Sequence, residues 1–358
     1  MEGKGPTYLF GTCCYGFVQR IMRDKLYILL MALFVGVAIA ACQWSLDYGG
    51  RSGSSTDIKV HRYDMLLDEF ISLNSFSALQ KMSADYPQET KFLIEEVLAI
   101  GSVSDDNINL RLREYYSDPL LTNLYRDALT KFADMSGIER DFTRAFKRLK
   151  RELPHMIIPR VYAQFSALNQ SVVVGDSILG FSIDKYMGAD YPLYSQFYYA
   201  YQLPAMSPER IVPDCMAFYL LSEYPFPWEW HRTLLDQILH RGKIHWVVSR
   251  IMGTETLEEE MGYTAEEGNW CRERRERIWN YLKESGQLHS TDPELVRTYL
   301  QPAECTYPLG LDSPGEVGVW LGMQIIDEYM AKNKNMSIAD LLRETDYRSL
   351  LRNLQLPY

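Results

Sequence analysis

Residues 159–183 read PRVYAQFSALNQSVVVGDSILGFSI, and this stretch decides the fold. Three runs within it, 161–165, 171–174 and 178–183, are rich in Val, Ile, Phe and Tyr, which suit a pleated, half-buried surface. Gly175-Asp176-Ser177 separates the last two and marks a hairpin turn. On both sides the apolar period lengthens from two residues to helical spacing. Upstream, 77–85, 89–98, 110–116, 120–133 and 138–153 read as helices, the last amphipathic and stopped by Pro154. Ahead of them, 58–63 (IKVHRY) alternates and reads as a short strand. Downstream, Ser207-Pro208-Glu209 has the form of an N-cap with proline in the first turn, leading through Asp214 to Glu223. Residues 234–252 make a long, mostly apolar helix. Thr264-Ala265-Glu266-Glu267 is a capping box opening a charged helix through Leu282, and Ser313-Pro314-Gly315-Glu316 reads as a second box. Ser337 opens the last helix. The expectation is an α+β fold, predominantly helical, with a small central sheet, forming one globular domain over 58–358.

The chain ahead of that domain has a different character. Residues 26–41 (LYILLMALFVGVAIAA) are uncharged and apolar, shorter than the roughly 20 residues that span a bilayer. Arg23 and Lys25 precede them, and Ile39-Ala40-Ala41-Cys42 follows. A charged n-region, a compact apolar h-region and small residues before a cysteine describe a lipoprotein signal peptide. Cleavage is expected between Ala41 and Cys42, with lipid on Cys42. Read from Met22, the signal has ordinary proportions, so Met22 is the expected start and the signal segment is 1–41 as the sequence stands. Residues 42–57 (CQWSLDYGGRSGSSTD) then form the lipidated cysteine and a flexible tether.

Composition excludes several classes. The 358 residues carry a net charge of −10. Residues 1–41 hold four basic and two acidic residues, which leaves the remainder near −12. Nonspecific nucleic-acid binding needs clustered Lys and Arg, so no nucleic acid is expected as partner. Beyond Cys42 only Cys215, Cys271 and Cys305 remain, too few and too scattered for a disulfide framework.

Few residues form a recognisable chemical motif. Six histidines are present, but no H-E-x-x-H, and His240 and His245 lie five apart, on different faces of a helix. No G-x-S-x-G elbow or phosphate-binding glycine loop occurs. Asp184 and Asp190 resemble an acid pair or a calcium loop only loosely, and turn or capping roles suit them better. Gly318 and Gly322, four apart, let another backbone approach one helix face inside a core. The mixed run Arg272-Glu273-Arg274-Arg275-Glu276-Arg277 reads as a solvated helix face. No cofactor, metal or catalytic residue is expected.

Extended stretches resemble a known family. They begin with Asp184-x-Tyr186-x-Gly188-x-Asp190-x-Pro192-x-Tyr194 and Ile211-Val212-Pro213-Asp214. Thr233-Leu234-Leu235-Asp236, Gly242-Lys243-Ile244, Gly262-Tyr263-Thr264 and Trp270-Cys271 follow. The strongest runs from Ser313 through Gly315-Glu316-Val317-Gly318-Val319-Trp320 and Gly322 to Ile326. In this order they are similar to the gliding-motility-associated lipoproteins called GldB, over nearly the whole mature chain. The resemblance implies a cell-envelope lipoprotein associated with gliding motility and type IX secretion machinery, with protein partners there. The family is in turn distantly similar to zincin metallopeptidases. That likeness implies a degenerate scaffold, with Pro213-Asp214-Cys215-Met216-Ala217 where H-E-x-x-H would lie and Arg241-Gly242 at a Glu-Gly ligand motif.

These readings converge on a nonenzymatic scaffold or accessory factor, held to the membrane through lipid on Cys42. Gln43 after the cysteine lacks the aspartate of an inner-membrane retention signal, which favours the outer membrane, facing the periplasm. The alternative is an envelope hydrolase using a noncanonical acidic site, and Asp184, Asp190 and Asp214 are the candidate groove residues for it. A carbohydrate-binding surface protein, suggested only by the aromatic content, is a third reading.

Overall fold

A four-stranded sheet sits within a predominantly helical shell, and its strand order is β1-β2-β4-β3. In this computed structural model the described residues are 57–227 and 232–354. Met22, Ala41, Cys42, the signal segment, nearly all of the tether and His231 lie outside them. The strands are β1 (His61–Arg62), β2 (Arg160–Gln164), β3 (Val172–Gly175) and β4 (Ile178–Ser182). β1 and β4 each run parallel to β2, and β3 returns antiparallel to β4 at the edge. The hairpin expected from Gly175-Asp176-Ser177 is therefore β3–β4. Every residue of β4 is buried, the pattern of a central strand covered on both faces. Gly180 is required there, because a β-carbon would fall 2.3 Å from the ring of Tyr162, its partner on β2.

The first helices are α1 (Tyr63–Leu73), α2 (Phe76–Ala84) and α3 (Pro87–Lys91), which continues as a π-helical turn over Phe92–Val97. They are followed by α4 (Ile108–Tyr115), α5 (Pro119–Lys131) and α6 (Ser136–Glu152). Phe142, Ala145, Phe146 and Leu149 of α6 are buried at helical spacing, which is the amphipathic stripe legible in the sequence. After β4 come the short α7 (Tyr194–Phe197), then α8 (Ile211–Glu223), α9 (Leu234–Met252), α10 (Leu257–Met261) and α11 (Ala265–Glu284). The chain closes with α12 (Pro293–Leu300), α13 (Val317–Lys332), α14 (Ile338–Arg343) and α15 (Tyr347–Leu354). The α+β, predominantly helical expectation holds.

Three local expectations are corrected. The strand at 58–63 shrinks to two residues, because Tyr63, Leu67 and Phe70 form a buried helical stripe that starts α1 at Tyr63. Ser313 does not cap a helix: its hydroxyl donates to the Thr306 carbonyl at 3.1 Å and the Gly310 carbonyl at 2.6 Å. α13 starts only at Val317, after Glu316 in a left-handed conformation (φ 56°). Ser337 does cap α14, but α15 follows it, so α14 is not the last helix. The Thr264–Glu267 box and the 234–252 helix form as read.

α8 packs against the hairpin strands β3 and β4 and against α9, and α9 packs most extensively on α13. Trp320 of α13, fully buried, donates its indole N–H to Glu258 of α10 at 3.0 Å. No helix among the described residues is long and apolar enough to cross a membrane.

Candidate functional site

The start of α8 carries the most organised charged cluster. A single 3₁₀ turn, Pro208–Arg210, leads into the helix, and Pro213 is tolerated because the amides of a first turn have no intrahelical acceptor. Asp214 lies in the same turn, where the positive end of the helix favours a carboxylate. One carboxylate oxygen accepts from the Arg210 guanidinium at 2.9 Å and the other from the Tyr186 hydroxyl at 3.0 Å. Arg210 and Asp214 each keep about a fifth of their side-chain exposure. Burial pushes the Asp214 carboxyl up, and Arg210 opposes that shift. Burial alone would lower Arg210, but Asp214 and Glu260 outweigh it and raise the guanidinium.

The network continues into α10 and α9. Arg210 donates a second time, to the Glu260 backbone carbonyl at 2.8 Å. The Glu260 side chain, 1% exposed, takes the His245 imidazole at 3.2 Å through one oxygen, while the other oxygen has no hydrogen bond. Arg241 lies one turn before His245 on α9, on the same face. Burial lowers its guanidinium, with Glu316 acting in the opposite direction. Burial also raises the Glu316 carboxyl, against the pull of His245, Arg241 and Arg210. The loop before Glu316 is pinned by the Tyr263 hydroxyl, which donates to the Gly315 carbonyl at 2.5 Å.

The three candidate carboxylates have separate polar partners. Asp214 belongs to this cluster. Asp184 is fully buried and clamps the loop after β2: it accepts from the Ser166 amide at 2.8 Å, the Ser166 hydroxyl at 3.1 Å and the Leu168 amide at 2.6 Å. That loop holds Ala167 and Leu168 at positive φ, so the clamp offsets backbone strain. Asp190 is exposed in a turn beside Gly188. Sequence reasoning passed over Arg210, Glu260, Glu316 and the place of His245. The available signal was the pair of cations Arg241 and Lys243 in the middle of a mostly apolar helix.

Among the described residues no group of three His, Cys, Asp or Glu side chains is placed to hold a metal ion. Cys215, Cys271 and Cys305 are free thiols, and burial pushes the Cys215 thiol well above its ordinary range, away from a reactive thiolate. Asp214 is held by two donors, Arg210 on one oxygen and Tyr186 on the other. The arrangement presents fixed, alternating charges, which suits recognition.

A predominantly helical α+β domain with a mixed four-stranded sheet and a charged cluster at one helix start is thus the class defined. The family model described as gliding motility protein GldB matches residues 51–355, and the chain belongs to that family. It is a protein associated with gliding motility. Comparison with curated proteins gives no match, and comparison with solved structures gives none.

Proposed function

We propose that this protein is a nonenzymatic envelope lipoprotein that scaffolds or assists the gliding-motility and type IX secretion machinery. The family match over 51–355 carries the reading. The sequence of Cys42 and the residues before it supports attachment by lipid, Gln43 after it favours the outer membrane facing the periplasm, and the family supports protein partners in the machinery. Several acyl chains on one cysteine would give firm anchoring where a single chain is marginal. The order hairpin, α8, α9 is the order a degenerate zincin-like scaffold would have, and Pro213, Ala217 and Arg241 cannot supply its metal ligands.

Cys42→Ala tests the anchoring: the domain is expected to leave the membrane fraction, keep its thermal unfolding midpoint and lose its activity in cells. Crosslinking in cells would then name the partners. The second reading, a hydrolase with an acidic site, is favoured only by the buried carboxyl of Asp214. Peptide cleavage by the purified protein that disappears in Asp214→Asn would establish it and sink the scaffold.

A further inference from the structure

α6 is a basic helix in an acidic chain. Over Ser136–Glu152 it carries six Arg and Lys residues against Glu139, Asp141 and Glu152, a net +3 where the whole chain has −10. Arg140, Arg144, Lys147 and Arg151 recur at intervals of four, three and four, which places them in one stripe down the helix. All four are exposed, on the side away from the buried Phe142, Ala145, Phe146 and Leu149. Arg144 pairs with Asp141, Lys147 with Asp57 at 2.9 Å and Arg151 with Glu152 at 3.1 Å. These pairs lie at the surface, where each contributes little and exchanges readily. Arg140 has no ion pair among the described residues. Asp57 and Lys59 beside the helix cancel each other, so the positive excess remains.

The chain enters the domain along this same helix. The Ile58 amide donates to the Thr143 hydroxyl at 2.9 Å and the Val60 amide to Glu139 at 3.1 Å, so the entry segment runs antiparallel beside the stripe. Fourteen residues, 43–56, separate Asp57 from Cys42. They reach at most about 50 Å, against about 26 Å for the length of α6. A lipid on Cys42 therefore keeps the stripe close to a bilayer surface, where weak contacts act as if at high concentration. We propose that Arg140, Arg144, Lys147 and Arg151 rest on the anionic phospholipid headgroups of the membrane that holds Cys42, and so orient the domain on it. A row of exposed cations matches a plane of phosphates, and the attraction acts only within a Debye length of the surface. The inference rests on the reading of Cys42 as a lipid anchor.

Arginine footprinting with phenylglyoxal tests it, on the full chain purified from membranes and reconstituted on vesicles. One set is phosphatidylcholine alone, the other equal parts phosphatidylglycerol and phosphatidylcholine. On the anionic set Arg140, Arg144 and Arg151 should react about fivefold or more slowly, the factor one cation gains beside an anionic surface. Arg297 and Arg343, exposed on α12 and α14, should keep their rates. Salt at about 1 M, where screening acts over about 3 Å, should remove the protection. Arg140→Glu combined with Arg144→Glu should free Arg151 on anionic vesicles, with the unfolding midpoint and sedimentation with vesicles unchanged. Continued protection of Arg151 in that variant overturns the inference. So do equal rates on the two sets from chain that sediments with both, a result that leaves the anchor standing and needs no variant. Chain that sediments with neither overturns the anchor, and the docking falls with it. Protection in cells that is absent on anionic vesicles assigns the stripe to an acidic protein and overturns the membrane contact.

Discussion

Gly242 of α9 and Gly322 of α13 meet backbone to backbone. A β-carbon on Gly242 would lie 2.2 Å from the Gly322 carbonyl carbon, and one on Gly322 would lie 2.1 Å from the Ile238 carbonyl oxygen. The crossing therefore sets where Arg241, which precedes Gly242, sits relative to Glu316, which opens α13. Packing energetics and the site geometry share this one contact.

Gly322→Ala is expected to destabilise the domain by about 3 kcal/mol, since neither helix backbone can give way and overpacking costs rise accordingly. Gly137→Ala in α6 is the control. Its β-carbon would meet only the end of Arg140, at 3.9 Å, and alanine suits a helix better, so stability should hold or rise by about 0.5 kcal/mol. Denaturant unfolding of the two variants checks both values; equal effects would refute the close-crossing argument.

Asp184→Asn should cost about 2 kcal/mol or more. One amide NH₂ would replace an oxygen that now accepts from the loop amides and hydroxyl of Ser166 and Leu168, setting donor against donor. Hydrogen exchange of the 166–169 amides should rise at the same time. A variant of unchanged stability would show that the clamp contributes nothing net.

Acid should weaken the fold through His240. Burial and the nearby Lys243, Arg241 and Arg232 hold its imidazole down at about 3, against 6.5 ordinarily. Its Nδ1 lies 2.8 Å from the Tyr347 hydroxyl, and Nε2 is buried without a hydrogen bond. Above 6.5 the group is neutral in both states. As pH falls from there toward 3, only the unfolded chain takes up the proton, so stability drops by up to about 1.4 kcal/mol per unit. His240→Gln should flatten this part of the stability–pH curve in urea titrations between pH 7 and 4, and an unchanged slope would assign the acid sensitivity elsewhere.

Arg210→Met should cost about 1 to 2 kcal/mol, because Asp214 then keeps only Tyr186 as a donor, though its residual exposure softens the loss. Arg210→Met combined with Asp214→Leu should recover part of it, since removing both charges leaves none unpaired. A double variant worse than the single would show that the pair is net stabilising. Chemical denaturation of the three proteins resolves the cycle.

Much of this protein was legible in its sequence because the controlling interactions are local. Val-rich runs around Gly175-Asp176-Ser177 give β3 and β4, Thr264 and Glu267 cap one helix start reciprocally, and the apolar period of 234–252 gives α9. The family, too, was legible as a resemblance in stretches read along the chain, and its model matches residues 51–355. Other features needed the assembled fold. Ser313-Pro314-Gly315-Glu316 has every residue of a capping box, yet the Ser313 hydroxyl is taken by carbonyls of Thr306 and Gly310, and the helix starts later. The parallel pairing of β1 and β4 with β2 joins segments about a hundred residues apart in one case. The cluster of Tyr186, Arg210, Asp214, His245 and Glu260 draws on separate elements brought together by packing. Periodicity and caps report only what a residue's immediate neighbours dictate. Which charges meet depends on how separate elements pack, and the close Gly242–Gly322 contact is one of the crossings that sets it.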